Sequence, residues 1–219
     1  MNTLLTFWRS TIGKKVVMGV TGLIGLGFVI GHMAGNLQAF SGAEKIDAYG
    51  ALLNGPLHEI LLVARVVLIL AVILHVVAAY QLTMISRAAR PIDYAGRKPQ
   101  VSTLASRTLR WGGVLLLVFI VFHILHFTIG SVHPAFVEGK VYQNLASGFE
   151  VKWVAVFYLV AMIALGMHLF HGAWSSLRTL GLAQQKTEPL RRYLPIALAV
   201  IISSGFAAIP LAFLLGVLK

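Results

Sequence analysis

Cysteine is absent from the 219 residues. That excludes disulfides, covalently attached haem, and cysteine-ligated iron–sulfur or zinc sites within this chain. Charge is also scarce. Only 11% of residues are Asp, Glu, Lys or Arg, whereas soluble domains carry about 25%. No stretch alternates polar and apolar residues as a membrane β-strand would, no internal repeat is evident, and no small-residue cleavage site follows the first apolar run as in a signal peptide. What fills the chain instead is apolar: 58% of it is hydrophobic.

A spanning helix needs about 20 mainly apolar residues. Five stretches qualify: Val16–Phe40, Glu59–Ser86, Trp111–Val132, Lys152–Leu177 and Tyr193–Val217. Lipid offers no water to unpaired backbone groups, so these stretches are expected to be helices. The predicted fold class is an all-α membrane protein, one domain over residues 1–219. Five transmembrane helices cross the bilayer, and the first four form the functional bundle. The connectors, such as "SGAEKIDAYGALLNGP" and "HPAFVEGKVYQNLASGFE", read as loops.

The net charge of +11 could suggest nucleic acid, but its placement argues otherwise. Arg9, Lys14, Lys15, Arg87, Arg90, Arg97, Lys98, Arg107, Arg110, Arg178, Lys186, Arg191 and Arg192 fall on one side of the predicted bundle. Only Lys45, Arg65, Lys140, Lys152 and Lys219 belong to the other. By the positive-inside rule the N-terminus is cytoplasmic and the C-terminus outside. The charge is then a topology signal, and nucleic acid is not an expected partner.

Eight histidines occur, and ionisable residues inside a membrane are costly enough to suggest function. Spans I to IV each carry at least one, at His32, His75, His123 with His126, and His168. At about 1.5 Å per residue from each span's middle, His32 lies 6 to 7 Å outward, His123 about 2 Å and His126 about 6 Å outward. His75 lies about 4 Å inward and His168 about 5 Å inward. An outer pair on spans I and III and an inner pair on spans II and IV follow, with His126 slightly preferred over His123 as the partner of His32.

Two facing imidazoles from different helices are what a bis-histidine haem requires, and two such pairs would make a two-haem wire. Gly22, Gly25, Gly27, Gly31 and Gly35 would let a flat macrocycle approach the backbone, or simply let helices pack. Zinc would want a close tetrahedral set, often with cysteine or carboxylate, and the one clear carboxylate in a span, Glu59, is at an edge. A proton relay would want buried acids, and spans III and V have none. Arg65 is the one arginine inside a span, near the level of His32, where it either pairs with a haem propionate or snorkels. His126 and His171, one turn beyond proposed ligands, are further candidates for propionate contact, or for bonds to another helix.

The segments "GHMAGNLQAF", "ILHVVAAY", "VFHILHF" and "LFHGAW", with the opening "RSTIGKKVVMGVTGL", resemble the cytochrome b558 subunit of succinate dehydrogenase. This is the diheme, five-span membrane anchor of succinate:quinone oxidoreductases and fumarate reductases. The likeness runs over essentially the whole chain, and its specificity lies in four histidines in order on the first four spans. The resemblance implies that His32 and His123 hold an outer haem b and that His75 and His168 hold an inner one. Some members carry a carboxylate where this chain has Gly166, which puts in doubt any proton path through such an acid.

The resemblance further implies a subunit of succinate:quinone oxidoreductase in a bacterial cytoplasmic membrane. Flavoprotein and iron–sulfur subunits would dock on the cytoplasmic face, supplying FAD and the clusters. This chain would anchor them and pass electrons through two b haems to quinone, menaquinone being the family's suggestion. It would carry no dicarboxylate active site. Ser10, Lys14 and His171 near the inner haem, and His58, Glu59 and Asn36 near the outer, could meet a quinone, or serve as helix caps and interface residues. The alternatives are a stand-alone quinol-oxidising cytochrome b and a haem-free transporter that relays protons through histidines.

Overall fold

The protein is described here from a computed structural model over residues 3–89, 103–182 and 184–219, and every regular element among them is helical. Arg90, Arg97 and Lys98, counted above toward topology, lie outside the described residues. The chain opens with a short helix α1 (Thr3–Arg9) and turns sharply at Ser10 into α2 (Thr11–Asn36). The corner is built from local chemistry. Ser10 Oγ accepts the Gly13 N–H at 2.8 Å and so caps α2. The buried Lys14 ammonium donates to the Trp8 and Arg9 carbonyls at 2.7 and 3.0 Å, closing α1. Gly13 is required there, because a Cβ would sit 1.9 Å from the Phe7 carbonyl oxygen.

After α2 and a 3₁₀ turn (Leu37–Ser41) come α3 (Ala43–Asn54), α4 (His58–Ala88) and α5 (Leu104–His123). A π turn over Ile124–Thr128 ends α5, with Ile129 N–H donating to the Ile124 carbonyl at 2.9 Å. Then follow α6 (Val141–Glu150), α7 (Lys152–Thr179) and α8 (Glu188–Leu214). Among the described residues five helices are long and apolar enough to cross a membrane: Thr11–Ser41, His58–Ala88, Leu104–Thr128, Lys152–Thr179 and Gln185–Leu214. The five-span fold class holds.

Three expectations change. The third span sits further toward its N-terminus than Trp111–Val132, because Arg107 and Arg110 are helical and end-placed long basic side chains snorkel out of lipid. The fifth span likewise starts earlier than Tyr193. The first and third connectors are not plain loops, since α3 and α6 lie within them. Those two helices form because each buries one face: Ile46 of α3 and Leu145 and Phe149 of α6 are almost fully enclosed. Tyr142 N–H at the start of α6 donates to Asp47 of α3 at 2.9 Å, so both connectors lie at one end of the bundle.

Packing is uneven. Helix α7 is flanked by α5 and α8, while α4 packs on α2 and its own lead-in α3. Helix α2 reaches α7 and α8 only over shorter stretches, and α4 does not pack along α5 or α7. One hydrophobic core, including Ile46, Phe149, Ala155, Tyr158 and Ile209, gathers at the α3–α6 end. Around the remainder, side chains such as Ile60, Val63, Ile69 and Ile73 are exposed, as lipid contact permits. Apart from the shorter α2–α7 contact, the α2–α4 pair and the α5–α7 pair do not pack along one another, and the seam between them is the cleft.

Candidate functional site

The four spans place one imidazole each into that cleft. Counted from the middle of the observed spans, His32 and His123 lie roughly 9 and 10 Å toward the α3–α6 end. His75 and His168 lie roughly 3 and 4 Å toward the opposite end. The shift of the third span therefore lifts His123 to the level of His32 and carries His126 beyond it, removing the preference for His126. Ring positions agree. His32 and His123 have centroids 5.8 Å apart and meet edge to face. His75 and His168 have centroids 6.0 Å apart. Each pair joins helices that do not pack along one another, so the imidazoles are what meets across the gap.

Neither pair is closed by a hydrogen bond between its own rings. His75 Nδ1 lies 3.2 Å from Thr21 Oγ1 on α2. His123 Nδ1 lies 3.2 Å from the Tyr158 hydroxyl on α7. His168 Nδ1 is buried with no partner, a costly state for a polar atom. The donor set suits a metal bridged between two neutral imidazoles with open space around it. Among the described residues no three His, Asp or Glu gather as a closed tetrahedral centre would need.

The backbone also leaves room for a flat group. Gly25 lies two turns before His32 on the same face of α2, and a Cβ there would meet nothing within 4 Å. Gly172, one turn after His168, is equally clear. Not every glycine serves this end. A Cβ at Gly35 would strike the Tyr49 ring at 2.6 Å, so that residue is glycine for packing. Gly22 lies behind His75, its Cβ position 3.4 Å from that ring, while Gly27 and Gly31 face open space. Gly166 points at Ser203 of α8, 3.1 Å from where its Cβ would be, so a larger side chain there would press on α8.

The other expected site residues are spread over the fold. Asn36 is tied to the His32 level: its amide donates to the His32 carbonyl at 2.7 Å and lies 3.3 Å from both ring nitrogens. Arg65 is exposed roughly 12 Å from mid-span on the outer-pair side, and His58 and Glu59 are exposed in the first turn of α4. His171 is half-buried one turn beyond His168, its ring 6.4 Å from that of Trp174. Ser10 and Lys14 hold the α1–α2 corner, the capping alternative. His126 is not in the cleft. It is fully buried, stacked on Phe122 and on His133, whose centroid is 4.7 Å away, with Nδ1 3.3 Å from the Tyr158 hydroxyl.

Two residues adjoining the pairs, Thr21 and Tyr158, escaped the sequence reading. The one signal they offered was a polar oxygen in mid-span that needs a partner.

No curated protein and no solved structure matches the chain. The match that exists takes in His123 and His168 with the helices that carry them, and leaves His32 and His75 upstream of it. The description matched is "Succinate dehydrogenase/Fumarate reductase transmembrane subunit", over residues 86–207, more than half of the chain, and the protein belongs to that family.

Proposed function

We propose that this membrane subunit of a succinate dehydrogenase or fumarate reductase is a diheme cytochrome b anchor. His32 with His123, and His75 with His168, would hold two haem b groups. The observation that carries the reading is the meeting of four imidazoles in two pairs, at two depths, from helices that otherwise stand apart. Each neutral imidazole offers one nitrogen lone pair into a dry, apolar cleft. A bound b haem supplies one-electron transfer.

The chain's own contribution is to hold two such groups roughly 13 Å apart along the bundle axis and to exclude water with apolar helix faces. Arg65, near the level of the His32–His123 pair, would offer a cation to a propionate of the outer group, and His171, one turn beyond His168, a donor to the inner group. The basic end of the bundle faces the cytoplasm and takes the flavoprotein and iron–sulfur subunits, which bring FAD and the clusters. Quinone, menaquinone by preference, is met in the membrane, with Asn36, His58 and Glu59 at one end and His171 at the other. The membrane is a bacterial cytoplasmic membrane.

Haem content per chain, with a reduced-minus-oxidised spectrum of the purified complex, tests this. Two b haems per chain support the reading, and colourless protein from haem-replete cells ends it. Potentiometric titration of His168→Ala should lose one component and keep the other. Loss of both together would mean that the pairing is wrong. Co-purification of a flavoprotein and a cluster protein distinguishes the complex from a free-standing cytochrome.

A further inference from the structure

The two pairs share a feature that their ligand role does not require. In each, one ring is anchored through Nδ1 to a hydroxyl on a neighbouring helix, and the other has no side-chain oxygen at its Nδ1. His75 meets Thr21 and His123 meets Tyr158. His168 Nδ1 has no partner, and His32 meets only the Asn36 amide.

Proton counting fixes the direction at Thr21. A hydroxyl has one proton, and Thr21 spends it on the Val17 carbonyl of its own helix at 2.7 Å, with Met18 O at 3.2 Å. With that proton on Val17, the Thr21 oxygen accepts from His75, 3.2 Å away; His75 then carries its proton on Nδ1, which leaves a lone pair on Nε2. Thr21 is buried, so water does not compete. At the other level the Tyr158 hydroxyl lies between His123 Nδ1 at 3.2 Å and His126 Nδ1 at 3.3 Å. It can accept from one and donate to the other. In the direction where it donates to His126, His123 is the Nδ1–H donor and its Nε2 is free; in the reverse direction His123 carries its proton on Nε2. The Tyr158 ring is held edge-on by Phe119 and Phe149, at 4.9 and 5.1 Å.

We propose that Thr21 and Tyr158 are positioning residues: each accepts the Nδ1–H of one histidine per pair and so fixes the tautomer that leaves the lone pair on Nε2. This rests on the haem reading above. An accepted Nδ1–H makes an imidazole a stronger donor to metal, and such outer partners are worth about 10- to 100-fold in metal affinity. A stronger donor favours ferric over ferrous iron, so removing either hydroxyl should raise the potential of one component only.

The test is potentiometry and low-temperature EPR on the purified complex, with His168→Ala marking the inner component and His32→Ala the outer. Thr21→Val should shift the inner component upward by about tenfold in the oxidised-to-reduced ratio, about 59 mV for one electron, and move its low-spin g-values. Tyr158→Phe should do the same to the outer component alone. Thr21→Ser, which keeps the hydroxyl, should stay near the parent. Loss of the inner haem alone in Thr21→Val, with Thr21→Ser intact, also supports the assignment. Unchanged potentials and g-values in both variants at full haem content would overturn it. So would equal shifts of both components, loss of both haems, or Thr21→Ser behaving as Thr21→Val. A parent complex without b haem sinks the haem reading itself, which is a separate result.

Discussion

The two levels of the cleft are built differently. At the His32–His123 level protein surrounds the site: Tyr158, Phe149 and Ile46 are nearly fully buried, and α3 and α6 close over the end. At the His75–His168 level α4 leans on α2 alone among the spans, and only Ala71 and Ala78 of its 31 residues are buried. Apolar side chains gain nothing by leaving lipid for another helix. One end therefore coheres through its own aromatic packing, while at the other α4 is held among the spans by α2 and, on the haem reading, by the group between His75 and His168.

The largest effect should come from withholding that group. In protein made under inhibited haem synthesis, hydrogen exchange in α4 should rise sharply while α7 and α8 stay protected. A uniform rise would break the comparison. Next, Phe149→Ala should cost about 3–5 kcal/mol of unfolding free energy, as for large-to-small core changes, yet leave the inner component's potential in place. Gly148→Ala comes third. Its new methyl would lie 2.9 to 3.1 Å from His126, Phe127 and His133, and overpacking of that kind costs about 1–3 kcal/mol. It should disturb the outer component's spectrum and spare the inner. Smallest, Asp47→Ala removes the acceptor for the Tyr142 N–H and should lower thermal stability by about 1 kcal/mol. A larger loss would mean that the lid helices carry more of the outer end than their packing indicates.

The spans were legible because lipid forces hydrogen-bonded helices on any long apolar run. Their ends were less so. Arg107 and Arg110 look like connector residues by charge, although a helix end can carry long basic side chains to the interface. Helices α3 and α6 hide behind Gly42, Pro56 and Gly139. Their stability comes from burying Ile46, Leu145 and Phe149, a tertiary fact. One histidine per span could be read directly, but which rings meet depended on span register to within two or three residues. Thr21 and Tyr158 were illegible for a further reason. Their partners are 54 and 35 positions away, and only packing brings such distant positions together.

The chain writes H-x-x-H twice, as His123–His126 and as His168–His171. In α7 the spacing falls on a regular helix, where residues three apart share a face, and both imidazoles stay within reach of the same compartment. At the end of α5 it falls across the π turn. Each step there rotates less, so His126 falls further short of the His123 face and comes to rest against α6. The widened turn acts as a divider. One spelling leaves two imidazoles on one helix face, and the other sets them on different faces. Deleting Phe127 or Thr128, which keeps the three-residue spacing while removing the π turn, should return His126 to the face of His123.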